Sequence, residues 1–294
     1  MIPGFSERRI ATGDAEIYVS FGGQGPPLLL LHGYPQTHFC WHRAAPALAQ
    51  NYSVVCPDLR GYGASRGPVG GPPHEAYAKR AMAADQVAVM KALGHERFAV
   101  CGHDRGGRVA YRLTLDHPDR VSRLAVLDIM PTLEMFEHIN QQRALGAYHW
   151  LFLAQRFDLP ERLIGGDPDF YLDWTLKSWL GPDGRFAPEA MDEYRRAFRK
   201  PEVIHASCED YRAGASVDCE HDRADRAAGR RITCPLLVLW GGKRSIGTVL
   251  DPINTWQRWA DKVEGEPVDC GHFIPEEMPE RVVAALRRFL AAPL

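Results

Sequence analysis

Five short apolar runs set the architecture of this chain: PLLLLHG (27–33), SVVCPD (53–58), FAVCGH (98–103), RLAVLD (123–128) and PLLVLWGG (235–242). Each is shorter than an ordinary helix and nearly continuous in apolar residues, as strands are when a parallel sheet buries both their faces. Parallel neighbours need crossover connections, and segments of helical periodicity lie between and after the runs, roughly 74–93, 106–116 and 279–291. This alternation predicts an α/β fold with a mostly parallel, doubly wound sheet.

From about residue 131 to 221 the strand signal disappears. Segments 133–156, 168–179, 188–199 and 201–211 have helical periodicity, punctuated by Pro and Gly. The expected organisation is a core domain of residues 1–130 and 223–294, with a helical cap of residues 131–222 inserted between two strands. Such a cap would sit over the carboxyl ends of the strands, where α/β proteins bind ligands.

A length of 294 residues allows one large domain with such an insertion. The net charge of -2, without a basic run, argues against a nucleic-acid partner. The apolar runs are too short to span a bilayer, and the N-terminal MIPGFSERRIATGDAEIYVS lacks a signal-peptide core. A cytoplasmic protein with no membrane partner is expected. The seven cysteines are odd in number and contain no C-x-x-C pair, so they read as small apolar filler in a reducing compartment. No metal site and no cofactor are indicated.

The chemistry concentrates at Gly102-His103-Asp104-Arg105-Gly106, between a strand and a helix. The pattern G-x-nucleophile-x-G is a nucleophile elbow, whose glycines admit a close strand–helix approach around a strained residue. A helix N-terminus there favours an anion; the plainer alternative is an Asp that only caps the helix. The turn HGYP (His32–Pro35) would supply the Tyr34 backbone N–H as an oxyanion donor, partnered by that of Arg105. DLRGYGAS (58–65) follows the next strand, and CGHFIPEE places His272 in a turn before the last helix.

With these motifs the chain resembles the α/β-hydrolase fold along nearly its whole length. The chain order nucleophile–acid–histidine fits Asp104, an acid and His272. The turn after LLVLWGG has no carboxylate until Asp251, so Asp128, at the end of RLAVLD, is the preferred acid; capping the insertion is its alternative role. An Asp in place of Ser redirects the chemistry. Attack by serine on a saturated carbon would leave an ether, whereas a carboxylate leaves an ester that His272-activated water can hydrolyse. Displacement at sp³ carbon follows, as in dehalogenases and epoxide hydrolases.

Arg105 and Arg108 then select between those two. Both belong to a helix expected to be buried, where unpaired guanidinium groups are costly. A substrate carboxylate would pair them, offsetting a Coulomb repulsion of about 4 kcal/mol between attacking and bound carboxylates. The alternative is an arginine stripe paired with acidic residues of the cap or sheet, which is the favoured reading for Arg112. The basic loop KRSIGT gives Lys243 and Arg244 no role beyond solvated charge.

The pattern G-H-D-R-G-G-R, with HGYPQTHFCWHR before it and EDYRAGA in the insertion, resembles the fluoroacetate (haloacetate) dehalogenase family over essentially the whole chain. The resemblance implies Asp104 as nucleophile, His272 as base, Asp128 as its partner, and Arg105 and Arg108 as carboxylate ligands. It further implies a halide pocket of His149, Trp150 and Tyr211, a haloacid substrate and a homodimer. An epoxide hydrolase using Tyr148 or Tyr211 as proton donor is the second reading. A hydrolase-fold ligand receptor without turnover is the third.

Overall fold

The five apolar runs form the centre of one eight-stranded sheet. The computed structural model describes residues 1–243 and 251–292. In it the runs become β3 (Pro27–Leu31), β4 (Ser53–Pro57), β5 (Phe98–His103), β6 (Val121–Leu127) and β7 (Leu236–Gly241). They are joined by β1 (Ser6–Ala11), β2 (Glu16–Gly22) and β8 (Val263–Val268), in the order β1-β2-β4-β3-β5-β6-β7-β8. The β1–β2 and β2–β4 pairs are antiparallel and the others parallel. Every residue of β5 is buried, which explains its unbroken apolar run.

The sequence reading leaves out β1, β2 and β8. Both edge strands lie against solvent: SERRIA buries Ile10 alone and VEGEPV buries Val268 alone. Neither has the apolar content that marks a central strand, and pairing to the neighbouring strand defines them instead.

Before the insertion come α1 (Ala45–Leu48), α2 (Lys79–Ala92) and α3 (Arg105–Asp116). Between β6 and β7 lie α4 (Thr132–Glu137), α5 (Gln141–Gly146), α6 (Tyr148–Leu153), α7 (Leu159–Gly166), α8 (Pro168–Trp179), α9 (Pro188–Phe198), α10 (Pro201–Ala215) and α11 (Val217–Ala227). The expected helix 133–156 is therefore three short ones. Asn140 accepts from the Arg143 N–H at 3.0 Å and starts α5, the competing local bond that makes Asn a cap rather than a mid-helix residue. α7 and α11 were not anticipated, and α11 runs through residue 222. After β7 follow α12 (Pro252–Gln257), α13 (Ile274–Glu277) and α14 (Pro279–Ala291).

Buried ion pairs join the insertion to the core. Lys79 of α2 contacts Asp210 and, at 3.1 Å, Asp218. Arg112 of α3 pairs with Asp222 at 2.7 Å and with Asp225, as its stripe reading expects. All seven cysteines are free and six are buried. Among the described residues no helix is long and apolar enough to cross a membrane. Lys243 pairs with Asp269 at 3.0 Å, while Arg244 lies outside the described residues.

Candidate active site

The corner between β5 and α3 has the geometry of an elbow. Asp104 sits at φ 48° and ψ -119°, a conformation few non-glycine residues adopt. A Cβ on Gly102 would lie 2.3 Å from the Gly106 carbonyl oxygen, and one on Gly106 would lie 2.3 Å from that of His32. No side chain fits either space, so both glycines of the motif are needed for strand, helix and β3 turn to converge.

That convergence aims Asp104 at the expected partners. Its Oδ1 accepts the Tyr34 backbone N–H at 2.8 Å. Arg105 opens α3, so its own N–H has no acceptor within the helix. His272 Nε2 is 3.7 Å from Asp104 Oδ2 and has no hydrogen-bond partner. Its Nδ1 lies 2.6 Å from Asp128 Oδ2, and Asp128 Oδ1 accepts the Gly241 N–H at 3.0 Å. Asp128 ends β6 at φ 53°, a second strained carboxylate, aimed along the strand ends. The His272 N–H donates to the Trp179 carbonyl at 2.9 Å, which ties the histidine turn to α8.

Electrostatics fit a nucleophile and a base. Burial opposes ionisation of Asp104, but His272, His103, Arg105 and Arg108 outweigh it and hold the carboxyl below its ordinary value. Burial also opposes charge on His272, and there the Asp128 hydrogen bond and charge win, raising the imidazole above its ordinary value. Neighbouring His103 is pushed down to about 3, chiefly by burial, and stays neutral.

The two arginines differ. Arg105 gives Nε to Asp210 Oδ2 at 3.0 Å and Nη2 to Asp210 Oδ1 at 2.6 Å, so one edge of its fork is occupied. Only its buried Nη1 lacks a partner. Neither fork is fully open: a cap carboxylate already neutralises Arg105, and Arg108 has one nitrogen occupied. Arg108 donates Nη1 to the Met130 carbonyl at 2.8 Å and the Thr132 hydroxyl at 3.2 Å, both neutral, and its buried Nε has no partner. Burial and the charge of Arg105 make Arg108 less basic than an ordinary arginine. Among the described residues it makes no ion pair, and the Asp104 charge acts on it only from beyond ion-pair distance.

The cap closes this space with aromatic rings. Arg105 Cζ stands 4.1 Å over the Tyr211 ring, and Arg108 Cζ 4.3 Å over that of Trp150. His149 and Tyr211 rings are 5.7 Å apart, and Trp150 and Tyr211 are 5.9 Å apart. The buried Tyr211 Oη and His149 Nδ1 have no hydrogen-bond partners. Burial lowers His149 to about 3 and raises the Tyr211 phenol well above its ordinary value, so both are neutral. Tyr148 lies a ring further out, 5.7 Å from Trp174.

Sequence reasoning missed two participants. Asp210 stands beside Tyr211 in the quoted EDYRAGA, and the rule that a buried arginine needs a carboxylate could have singled it out. Trp179, whose ring is 4.3 Å from His149 and 5.4 Å from His272, had no motif to mark it.

Residues 26–279 match the alpha/beta hydrolase fold family, and the chain belongs to it. A fluoroacetate dehalogenase from Burkholderia sp is 46% identical over 293 residues, 99% of this chain and 95% of that protein; the chain is a hydrolase of this haloacetate dehalogenase-like branch. It is also 36% identical to a soluble epoxide hydrolase from Corynebacterium sp. (strain C12), covering 92% and 91% of the two chains. A solved structure described as an alpha/beta hydrolase, from Nostoc sp PCC 7120, superposes with a TM-score of 0.97 at 51% identity, covering both chains completely.

Proposed function

We propose that the protein hydrolyses 2-haloacids, with fluoroacetate as the substrate and glycolate and fluoride as products. The observation that carries this reading is Arg108, a fully buried guanidinium beside the nucleophile with only neutral acceptors. A neutral substrate would leave it with the Asp104 charge alone, which alkylation removes, whereas a carboxylate would pair with it and with Nη1 of Arg105.

With the carboxylate so held, the α-carbon stands before Asp104. Asp104 displaces halide with inversion, and His149, Trp150 and Tyr211 supply N–H, N–H and O–H donors to the departing ion. Tyr34 and Arg105 N–H groups receive the oxyanion when water attacks the ester carbonyl. Alkylation removes the Asp104 charge, one of the influences that raise His272. The imidazole then releases its proton more readily, so formation of the ester prepares the base that hydrolyses it. Segment 131–222 acts as the cap in this scheme. The receptor reading has nothing to favour it over turnover.

The test is fluoride release from fluoroacetate, followed by ion-selective electrode, with chloroacetate in parallel. Sustained release of fluoride supports the reading. Chloride without fluoride would keep the mechanism and reject the fluoride assignment; silence on both would reject the reading.

We also propose a cytoplasmic homodimer. Free thiols suit a reducing compartment. Phe157, Leu163, Phe170 and Trp174 expose 72%, 62%, 67% and 49% of their surfaces on the cap, an apolar face that a second copy would cover. A monomer by light scattering at micromolar concentration would reject the dimer.

A further inference from the structure

We propose that the same pocket opens epoxides bearing a carboxylate on a ring carbon, glycidate being the smallest, to 2,3-dihydroxy acids. The inference rests on the reading above that Arg108 and Arg105 bind the substrate carboxylate.

It starts from what the cap offers beyond a halide site. A departing halide is stable as an anion and needs only hydrogen bonds. The cap holds in addition a phenol, Tyr211, that is 1% exposed, lies against Arg105 and has a hydroxyl with no acceptor. A phenolic proton can be transferred outright, and the leaving group that needs such a transfer is an alkoxide. His149, neutral and unpartnered at Nδ1, can hydrogen-bond the same oxygen. Neutral epoxides would leave Arg108 with no paired carboxylate once Asp104 is esterified, so the class admitted is epoxides that bring their own carboxylate. Glycidate differs from a haloacetate by one bridging methylene and keeps the leaving atom on the α-carbon.

The steps balance. Asp104 attacks the α-carbon, the Cα–O bond breaks, and the ring oxygen takes both electrons of that bond together with the Tyr211 proton. The intermediate is an aspartyl ester carrying a hydroxymethyl group. Water, deprotonated by His272, adds to the Asp104 carbonyl carbon, and the ester oxygen leaves with the proton from His272. The new Asp104 carboxyl returns its proton to the Tyr211 phenolate, so one glycidate and one water give one 2,3-dihydroxypropanoate, inverted at C2.

The test incubates the purified protein with glycidate, with the neutral epoxide glycidol and with chloroacetate. Expected are turnover of one glycidate enantiomer and a kcat/KM for glycidol at least about 100-fold lower. Tyr211→Phe should lower glycidate opening by at least about 100-fold, the scale of general-acid assistance. Chloride release in the same variant should fall less than glycidate opening, and its thermal unfolding midpoint reports that the variant is folded. Chloroacetate turnover without glycidate turnover overturns this inference and leaves the dehalogenase reading standing. Epoxide turnover with no haloacid turnover overturns the dehalogenase reading. Glycidol consumed as fast as glycidate rejects carboxylate recognition, and equal losses in Tyr211→Phe reject the proton transfer.

Discussion

Arg105 and Arg108 stand three residues apart on α3, yet Asp210 neutralises only the first. Arg108 is left with a carbonyl and a hydroxyl. Under the proposed function, stability and substrate binding therefore oppose each other at this position. Arg108→Met should stabilise the free protein by about 1–3 kcal/mol, because a buried cation without a partner is removed. Arg108→Lys should raise KM for haloacetate about 10- to 100-fold, since a point charge replaces a planar fork. Thermal unfolding and steady-state kinetics measure the two effects, and unchanged KM in Arg108→Lys would make the residue structural.

Asp210→Asn should act in the other direction. It leaves Arg105 and Lys79 sharing a buried space with one carboxylate fewer, which costs about 3–5 kcal/mol. Activity should fall with stability, and Asp210→Glu should restore part of both. A denaturant midpoint equal to the wild type would show that Asp210 is not the partner that holds Arg105.

His272→Gln should stop turnover after the first chemical step. Peptide mass spectrometry should then find the carboxymethyl group from haloacetate on the fragment containing Asp104. Adduct on any other carboxylate would remove Asp104 from its assigned role, and Asp104→Asn should form none.

In the free enzyme His272 titrates above its ordinary value, owing largely to Asp128. Under the proposed function the neutral imidazole is the active base, so the rate should climb with pH across the neutral range. Asp128→Asn removes the raising influence, moving that limb to lower pH, and should cut kcat about 10²–10⁴-fold through lost orientation. A limb that stayed in place would mean that another group is titrating.

Burial pushes Glu276 up to about 8, and it hydrogen-bonds the Tyr194 hydroxyl as a neutral acid. Its folded-state value exceeds the ordinary 4.5, so the native state holds the proton that the unfolded chain releases. Stability should be full below 4.5 and decline by about 1.4 kcal/mol per pH unit toward 8. Glu276→Gln keeps a neutral partner for Tyr194 and should flatten that decline in urea unfolding series.

The sheet centre and the elbow were legible in the sequence because both depend on neighbours in the chain. β5 is apolar at all but its last positions, and Gly102, Asp104 and Gly106 are local. Asp128 and His272 could be placed because each directly follows a recognisable strand or turn. Less could be read wherever the partner is remote. Asp210 meets Arg105 across 105 residues, and Glu276 meets Gln36 across 240, distances over which spacing carries no signal. The cap helices have short, weakly periodic stretches whose boundaries are decided by caps such as Asn140, and there the expected helix divided into three.

Consecutive residues of α10 have opposite assignments. Asp210 grips a core arginine and a core lysine, while the Tyr211 ring packs against that arginine's guanidinium. Lifting the insertion away as a rigid lid would break these buried ion pairs, and that of Arg112 with Asp222, all at once. Under the proposed function, a small acid would therefore reach Asp104 past individual side chains while the insertion stays seated on the core.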